Sequence, residues 1–160
     1  MISFSKHSGI YTLIVMQKLP IGLSEAWDFF SSPKNLKEIT PPSMRFKVTS
    51  GEPDRMYPGQ IISYRVAPLP GIRTSWVTEI THVDKEKFFV DEQRFGPYRM
   101  WHHEHHFELK EGGLVMTDKV SYKIPFGILG HLAQVLFVRK QLKSIFEYRM
   151  KVLESKWGHK

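Results

Sequence analysis

The sequence has no cysteine. That excludes disulfides, thiol nucleophiles and cysteine-ligated metals, and it fits a cytoplasmic protein. No apolar run approaches the ~20 residues of a membrane-spanning helix, so no membrane insertion is expected. Residues 1–20, MISFSKHSGIYTLIVMQKLP, lack the basic head, long apolar centre and small-residue cleavage site of a secretory signal. No low-complexity linker or repeat divides the chain, which reads as one domain over 1–160. Several signatures are missing as well: GxxxxGK(S/T) for a phosphate loop, GxSxG for a nucleophile elbow, HExxH for a zinc helix, a nucleotide fingerprint and an EF-hand loop.

What is there is an ordinary globular composition, 41% hydrophobic and 24% charged over 160 residues, enough for a single core. Acids are outnumbered, 16 to 23, and the net charge is +7. Residues 131–160 carry seven Lys/Arg against two acids, a net +5. No Arg/Gly-rich tail accompanies them. Specific nucleic-acid binding is therefore not expected, and the basic residues read as a solvated helix face or a docking face for an acidic partner.

Proline and glycine cut the chain into short pieces and one long one. Ile10–Lys18 reads as a strand. Ser24 reads as an N-cap for the helix EAWDFFSS, which buries Trp27 and Phe30 or Ala26 and Phe29. A second short helix is expected over Lys34–Ile39, ending before Pro41-Pro42. Strands follow at Arg45–Ser50, Gly59–Ala67, Arg73–Val83, Lys87–Phe95, Arg99–Lys110 and Leu114–Ile124. Turns at Pro58-Gly59, Pro70-Gly71, Gly96-Pro97 and Gly112-Gly113 make them an antiparallel meander. The last piece, Phe126–Trp157, has no proline. Val135, Val138, Leu142, Ile145, Phe146, Met150, Leu153 and Trp157 form one stripe on it, the pattern of a helix lying on a sheet and not of a membrane binder.

The element order resembles the helix-grip fold of the START and birch-pollen-allergen superfamily, known as SRPBCC. The stretch Phe89-Val-Asp91-Glu-Gln93-Arg-Phe-Gly96-Pro97-Tyr98, followed by Trp101-x-His103-x-His105-x-Phe107, resembles the bacterial ligand-binding SRPBCC group near the polyketide cyclase/dehydrase proteins. Thr117-Asp118-Lys-Val-Ser-Tyr122-x-x-Pro125-Phe-Gly127 and Phe146-x-Tyr148-Arg149 fit the same group. The expected fold is α+β: a curved antiparallel sheet of about seven strands, two short helices after the first strand, and a long C-terminal helix over the concave face. A cavity between sheet and helix is the natural ligand site. The group holds cyclases and carriers alike, so the fold does not decide between them.

Strand alternation places side chains around that cavity. Trp101, His103, His105 and Phe107 share the apolar, inward face, and His102, Glu104 and His106 the outer one. A Gly112-Gly113 turn pairs Phe107 with Asp118, His105 with Val120 and His103 with Tyr122. Met116, Asp118, Val120 and Tyr122 then point inward, and Asp118 lies diagonal to His105. Arg149 falls inside the helix's apolar stripe and needs an acid or a ligand anion. Trp76, Thr78 and Ile80 are assigned inward. On the next strand Phe89, Asp91, Gln93 and Phe95 are preferred inward over Phe88, Val90, Glu92 and Arg94.

The expected ligand-binding set is therefore Trp76, Asp91, Gln93, Trp101, His103, His105, Phe107, Asp118, Tyr122 and Arg149. The expected ligand is a small hydrophobic molecule: a lipid, polyketide or isoprenoid-like compound. The favoured reading is binding without chemistry. The rival is a cofactor-free cyclase or dehydratase with His103, His105 and Asp118 as acid–base groups. A protein-interaction module is the third. No cofactor and no metal is expected, although His103, His105 and Asp118 or Asp91 have the donors for one ion.

Overall fold

The structure is a computed structural model, and it describes residues 1–51, 55–69 and 72–158. The chain opens with a hairpin, β1 (Ile2–His7) and β2 (Ile10–Leu19). Its two-residue turn has positive φ at both Ser8 (49°) and Gly9 (79°), the twist that joins adjacent antiparallel strands. The sequence reading missed β1, whose inner face carries only Ile2 and Phe4. Among the described residues the sheet thus has eight strands, one more than the approximate count expected.

Helix α1 (Leu23–Phe30) follows, capped by the Gly22 backbone and not by the Ser24 side chain. Ala26, Trp27, Phe29 and Phe30 are all buried, because α1 is wedged between the sheet and the end of the last helix. The second helix shrinks to a 3-10 turn at Pro33–Lys37, and another 3-10 turn spans Pro42–Met44. Arg45 then adopts a left-handed conformation, so β3 covers only Lys47–Val48 instead of the six residues expected. The meander continues as β4 (Gln60–Leu69), β5 (Ile72–Asp84), β6 (Phe88–Phe95), β7 (Met100–Lys110) and β8 (Gly113–Lys123). The Pro70-Gly71 turn lies outside the described residues. The sheet order is β1-β2-β8-β7-β6-β5-β4-β3.

The β7–β8 register differs from expectation by two residues. Lys110 pairs with Gly113 across a Glu111-Gly112 turn, so His105 faces Asp118, His103 faces Val120 and Phe107 faces Met116. Gly112 supplies the positive φ of the turn. Gly113 belongs to the strand, where a Cβ would overlap the Leu19 carbonyl oxygen. A slip of two keeps every side chain on its face. The inward set is unchanged, and Asp118 moves from diagonal to directly opposite His105.

The final helical run is α2 (Gly127–Ala133), a π turn (Gln134–Val138) and α3 (Arg139–Trp157). Leu142, Phe146, Arg149, Leu153 and Trp157 are buried against the sheet. Val135, expected in the same stripe, is 61% exposed. Helix α3 lies toward the β2 side of the concave face, where Gln17 Nε2 donates to the Met150 carbonyl oxygen at 2.8 Å. Under its other side the β4–β7 part of the sheet stays uncovered. Two apolar clusters fill the rest, one built on α1, Phe89, Phe107 and Trp157, the other on β2, β8, Leu142 and Phe146. Among the described residues no helix is long and apolar enough to cross a membrane.

Candidate functional site

The uncovered part of the sheet becomes a cavity of about 190 Å³ between β4–β7, the two 3-10 turns and α3. Ile62, Tyr64, Val66, Trp76, Trp101 and Phe146 are among its walls. Its charged or titratable lining groups are Asp91, His103, His105 and Arg149, apart from the Tyr64 and Tyr98 phenols. Burial pushes both phenols up, so they remain neutral hydroxyls. Tyr64 Oη and Thr78 Oγ1 share a hydrogen bond at 2.6 Å.

The polar floor follows from strand register. Asp91 on β6 pairs with His103 on β7, and His105 pairs with Asp118 on β8. Each imidazole therefore stands between two carboxylates. His105 Nε2 lies 2.9 Å from Asp91 Oδ2, and its Nδ1 lies 2.8 Å from Asp118 Oδ1. The second contact lies off the N–H direction, so it is an ion pair more than a directed hydrogen bond. His103 Nε2 meets Asp118 Oδ1 at 3.1 Å, and its Nδ1 lies 3.4 Å from Asp91 Oδ2. Arg149 closes the group from α3, with Nη1 3.7 Å from Asp118 Oδ1. Its guanidinium also lies over the Phe30 and Phe146 rings, at 5.6 and 5.9 Å.

Charge balance sets the protonation. Two carboxylates and one guanidinium leave one negative charge, and a buried site must neutralise it. One imidazolium does so. Burial opposes a charge on His105, but its contacts with Asp118 and Asp91 outweigh that and hold its pKa above the ordinary value. Burial and the like charge of His105 push His103 down, against the pull of the carboxylates. The pair thus takes one proton readily, on His105, and a second reluctantly. Burial would raise Asp118, but Arg149 first and then the two histidines hold it well below the usual carboxylate range. Burial likewise opposes ionisation of Asp91, which His103, His105 and Arg149 together keep low. Neutral His103 donates from one nitrogen only. With Nε2–H given to Asp118, its Nδ1 lone pair faces Asp91 across the longest of the four imidazole–carboxylate contacts.

Asp91, His103 and His105 are also the one group among the described residues with three metal-ligating side chains in reach of a common point, donor atoms within 4.8 Å of one another. Of the two acids considered as third ligand, the geometry selects Asp91. An ion there would displace the imidazolium proton that now balances the site.

Six of the ten sequence-expected residues line the cavity: Trp76, Asp91, Trp101, His103, His105 and Arg149. Four do not. Asp118 stands behind the histidines and touches the cavity only through them. Phe107 packs into the core against Trp27, Phe30 and Phe89. Tyr122 is fully buried, and its hydroxyl accepts from Gln134 Nε2 at 2.7 Å. Gln93 caps the β6–β7 turn, donating to the Tyr98 carbonyl oxygen at 2.6 Å and accepting from the Tyr98 N–H at 3.2 Å. Phe95 is exposed and not inward, because β6 slips against β5 between Val77 and Thr78. The sequence reading missed Tyr64, Tyr98, Ile62 and Ile145 as cavity lining. The alternation Ile62-x-Tyr64-x-Val66 carried the signal for the first β4 pair.

Comparison with known proteins agrees with this architecture. The model of the family described as polyketide cyclase / dehydrase and lipid transport matches residues 19–151. Protein Ms6760 from Mycobacterium smegmatis superposes with a TM-score of 0.67 at 17% identity, covering 98% of each chain. Ginseng major latex-like protein 151 from Panax ginseng gives 0.69 at 13% identity, covering 94% of this chain and 99% of its own. TTHA0849 from Thermus thermophilus gives 0.64 at 19% identity, covering 90% and 94%. No curated protein matches the chain in sequence. At these identities the structures speak for the fold, and the fold is the helix grip. Because the family model spans most of the chain and the concave sheet grips its C-terminal helix as that fold requires, the chain belongs to the polyketide cyclase / dehydrase and lipid transport family of the SRPBCC superfamily.

Proposed function

We propose that the cavity binds a compact, mainly apolar molecule carrying at least one acceptor oxygen. One observation carries this reading. The cavity sets a charged floor of Asp91, His103, His105 and Arg149 against walls of Ile62, Val66, Trp76, Trp101 and Phe146. A ligand oxygen placed against that floor is stabilised by the guanidinium and imidazolium charges. The rest of the wall is apolar and suits a hydrocarbon body. Size restricts the ligand. About 190 Å³ far exceeds the ~10–15 Å³ one water needs and is comparable to the ~150 Å³ cavity that takes benzene. It lies below the ~300–1,000 Å³ of drug-sized pockets. A molecule of one or two rings, or a short isoprenoid, fits. A long acyl chain exceeds this volume. Solvent extraction and mass spectrometry of the purified protein test this. A compact oxygen-bearing molecule is expected with the native chain and not with Ile145→Trp, which adds bulk at a half-buried lining position on α3. A protein that carries nothing in either form contradicts it.

The acid–base reading has one observation in its favour. The two cavity imidazoles are pushed in opposite directions, leaving an imidazolium beside a neutral imidazole. That is how one site holds an acid and a base together. It requires that His103→Gln and His105→Gln each abolish turnover of a bound compound while binding survives.

A further inference from the structure

We infer that residues 126–143 dock the protein on the surface of an anionic lipid bilayer, with the outer face of α2 at the headgroup–acyl boundary. The inference concerns a different surface from the cavity and stands without it. It departs from the expectation of no membrane insertion, and from the reading of Phe126–Trp157 as no membrane binder: side chains enter, and the chain does not span.

The first observation is an inverted helix. A helix lying on a sheet turns its apolar side inward. Here the inward side carries Gly130 and Gln134, and the outward side carries the bulk. Phe126, Ile128, Leu129, Leu132, Val135, Leu136 and Phe137 are each between 53 and 88% exposed. Seven large apolar side chains in one short segment exceed the scattered exposure of an ordinary surface.

The second observation is that this orientation is pinned. A Cβ at position 130 would overlap the Pro125 carbonyl oxygen, so the helix sits directly on the Ile124-Pro125 link that joins it to β8. Gln134 is tied to Tyr122, and Tyr11 Oη meets His131 Nδ1 at 2.6 Å. Rolling the apolar residues inward would break these contacts.

The third observation is charge. From position 119 to 146 the sequence has Lys119, Lys123, Arg139, Lys140 and Lys143, and no acid. Lys119 is paired with Glu104, and Lys143 also reaches Glu147 at 3.6 Å. Arg139, Lys140 and Lys143 line a groove against Ile2, Ser3, Phe4 and Val135, one turn beyond the apolar face. Bulky aliphatic groups followed by cations match an interface of hydrocarbon topped by phosphate. A symmetric dimer through this face would set the cations against themselves. Nucleic acid would meet the cations and leave the aliphatic groups without a partner.

Flotation with phosphatidylcholine vesicles, with and without phosphatidylglycerol, tests the inference. The native chain is expected to float with the anionic vesicles, less so at high salt. Arg139→Gln/Lys140→Gln/Lys143→Gln should weaken partitioning about 100-fold, at roughly fivefold per cation. Ile128→Ser/Leu132→Ser should abolish flotation with an unchanged melting temperature, since both residues are exposed. A native chain that stays in the soluble fraction, whether as monomer or dimer, overturns the inference, as does undiminished flotation of the Ile128→Ser/Leu132→Ser variant.

Discussion

Arg149→Met removes the one permanent cation of the polar floor while keeping the side chain's packing on Phe30 and Phe146. The native site balances two carboxylates with a guanidinium and one imidazolium. The variant keeps both carboxylates and loses one positive charge. Stripping one member from a buried ion group costs about 3–5 kcal/mol. For a chain of this size that lowers the melting temperature by roughly 6–20 °C. The loss should also depend on pH. His103 sits between both carboxylates, and with Arg149 gone the site has one uncompensated negative charge that favours a second proton there. Above the ordinary histidine pKa of 6.5 the folded variant then binds one proton more than the native fold. Its deficit against the native chain grows by up to about 1.4 kcal/mol per pH unit as pH rises. Urea unfolding at pH 6, 7 and 8 measures this, so the deficit should be largest at pH 8. Adding Asp118→Asn restores the balance and should recover about 0.5–3 kcal/mol. An Arg149→Met protein as stable as the native chain, or no recovery in the double variant, would refute the charge argument.

The native protein should be most stable near pH 6.5. His105 keeps its proton above that value, so stability is lost as pH rises through its raised pKa; His103 refuses one below it, so stability is lost as pH falls. A stability that climbs steadily to pH 8 in urea titrations contradicts this. Phe107→Ala should cost about 3–5 kcal/mol as a core cavity and leave the affinity for a cavity ligand unchanged by calorimetry, since Phe107 lies outside the lining. Gly113→Ala should cost roughly 2–4 kcal/mol through backbone strain and the clash with Leu19, read by thermal melting.

The meander, the final helix and the inward face of β7 were legible because alternation and helical spacing act locally. Trp101, His103 and His105 could be placed by parity alone, and parity survived a register error of two. The register itself was not legible. It depends on which of Gly112 and Gly113 sits in the turn, and the crossing of β2 at Leu19 decides that. Strand β1 escaped notice because an edge strand needs only one apolar neighbour face. Gln93, Phe107 and Tyr122 share a face with cavity residues, but a curved sheet has a packed end as well as an open one. Alternation reports the face and not the position along it. The inversion of α2 was hidden for a related reason. Its apolar spacing continues that of α3, and the contacts that hold it outward, Gly130 on Pro125, Gln134 with Tyr122 and His131 with Tyr11, leave no mark in that spacing.

The cavity is expected to accept an apolar body with its oxygen on the polar floor. Isothermal titration with 2-naphthol, two fused rings and one hydroxyl, measures it most directly. One saturable site per chain is expected, lost in Ile145→Trp and weakened in His103→Gln. No saturable heat, or the same isotherm from the Ile145→Trp protein, would contradict it.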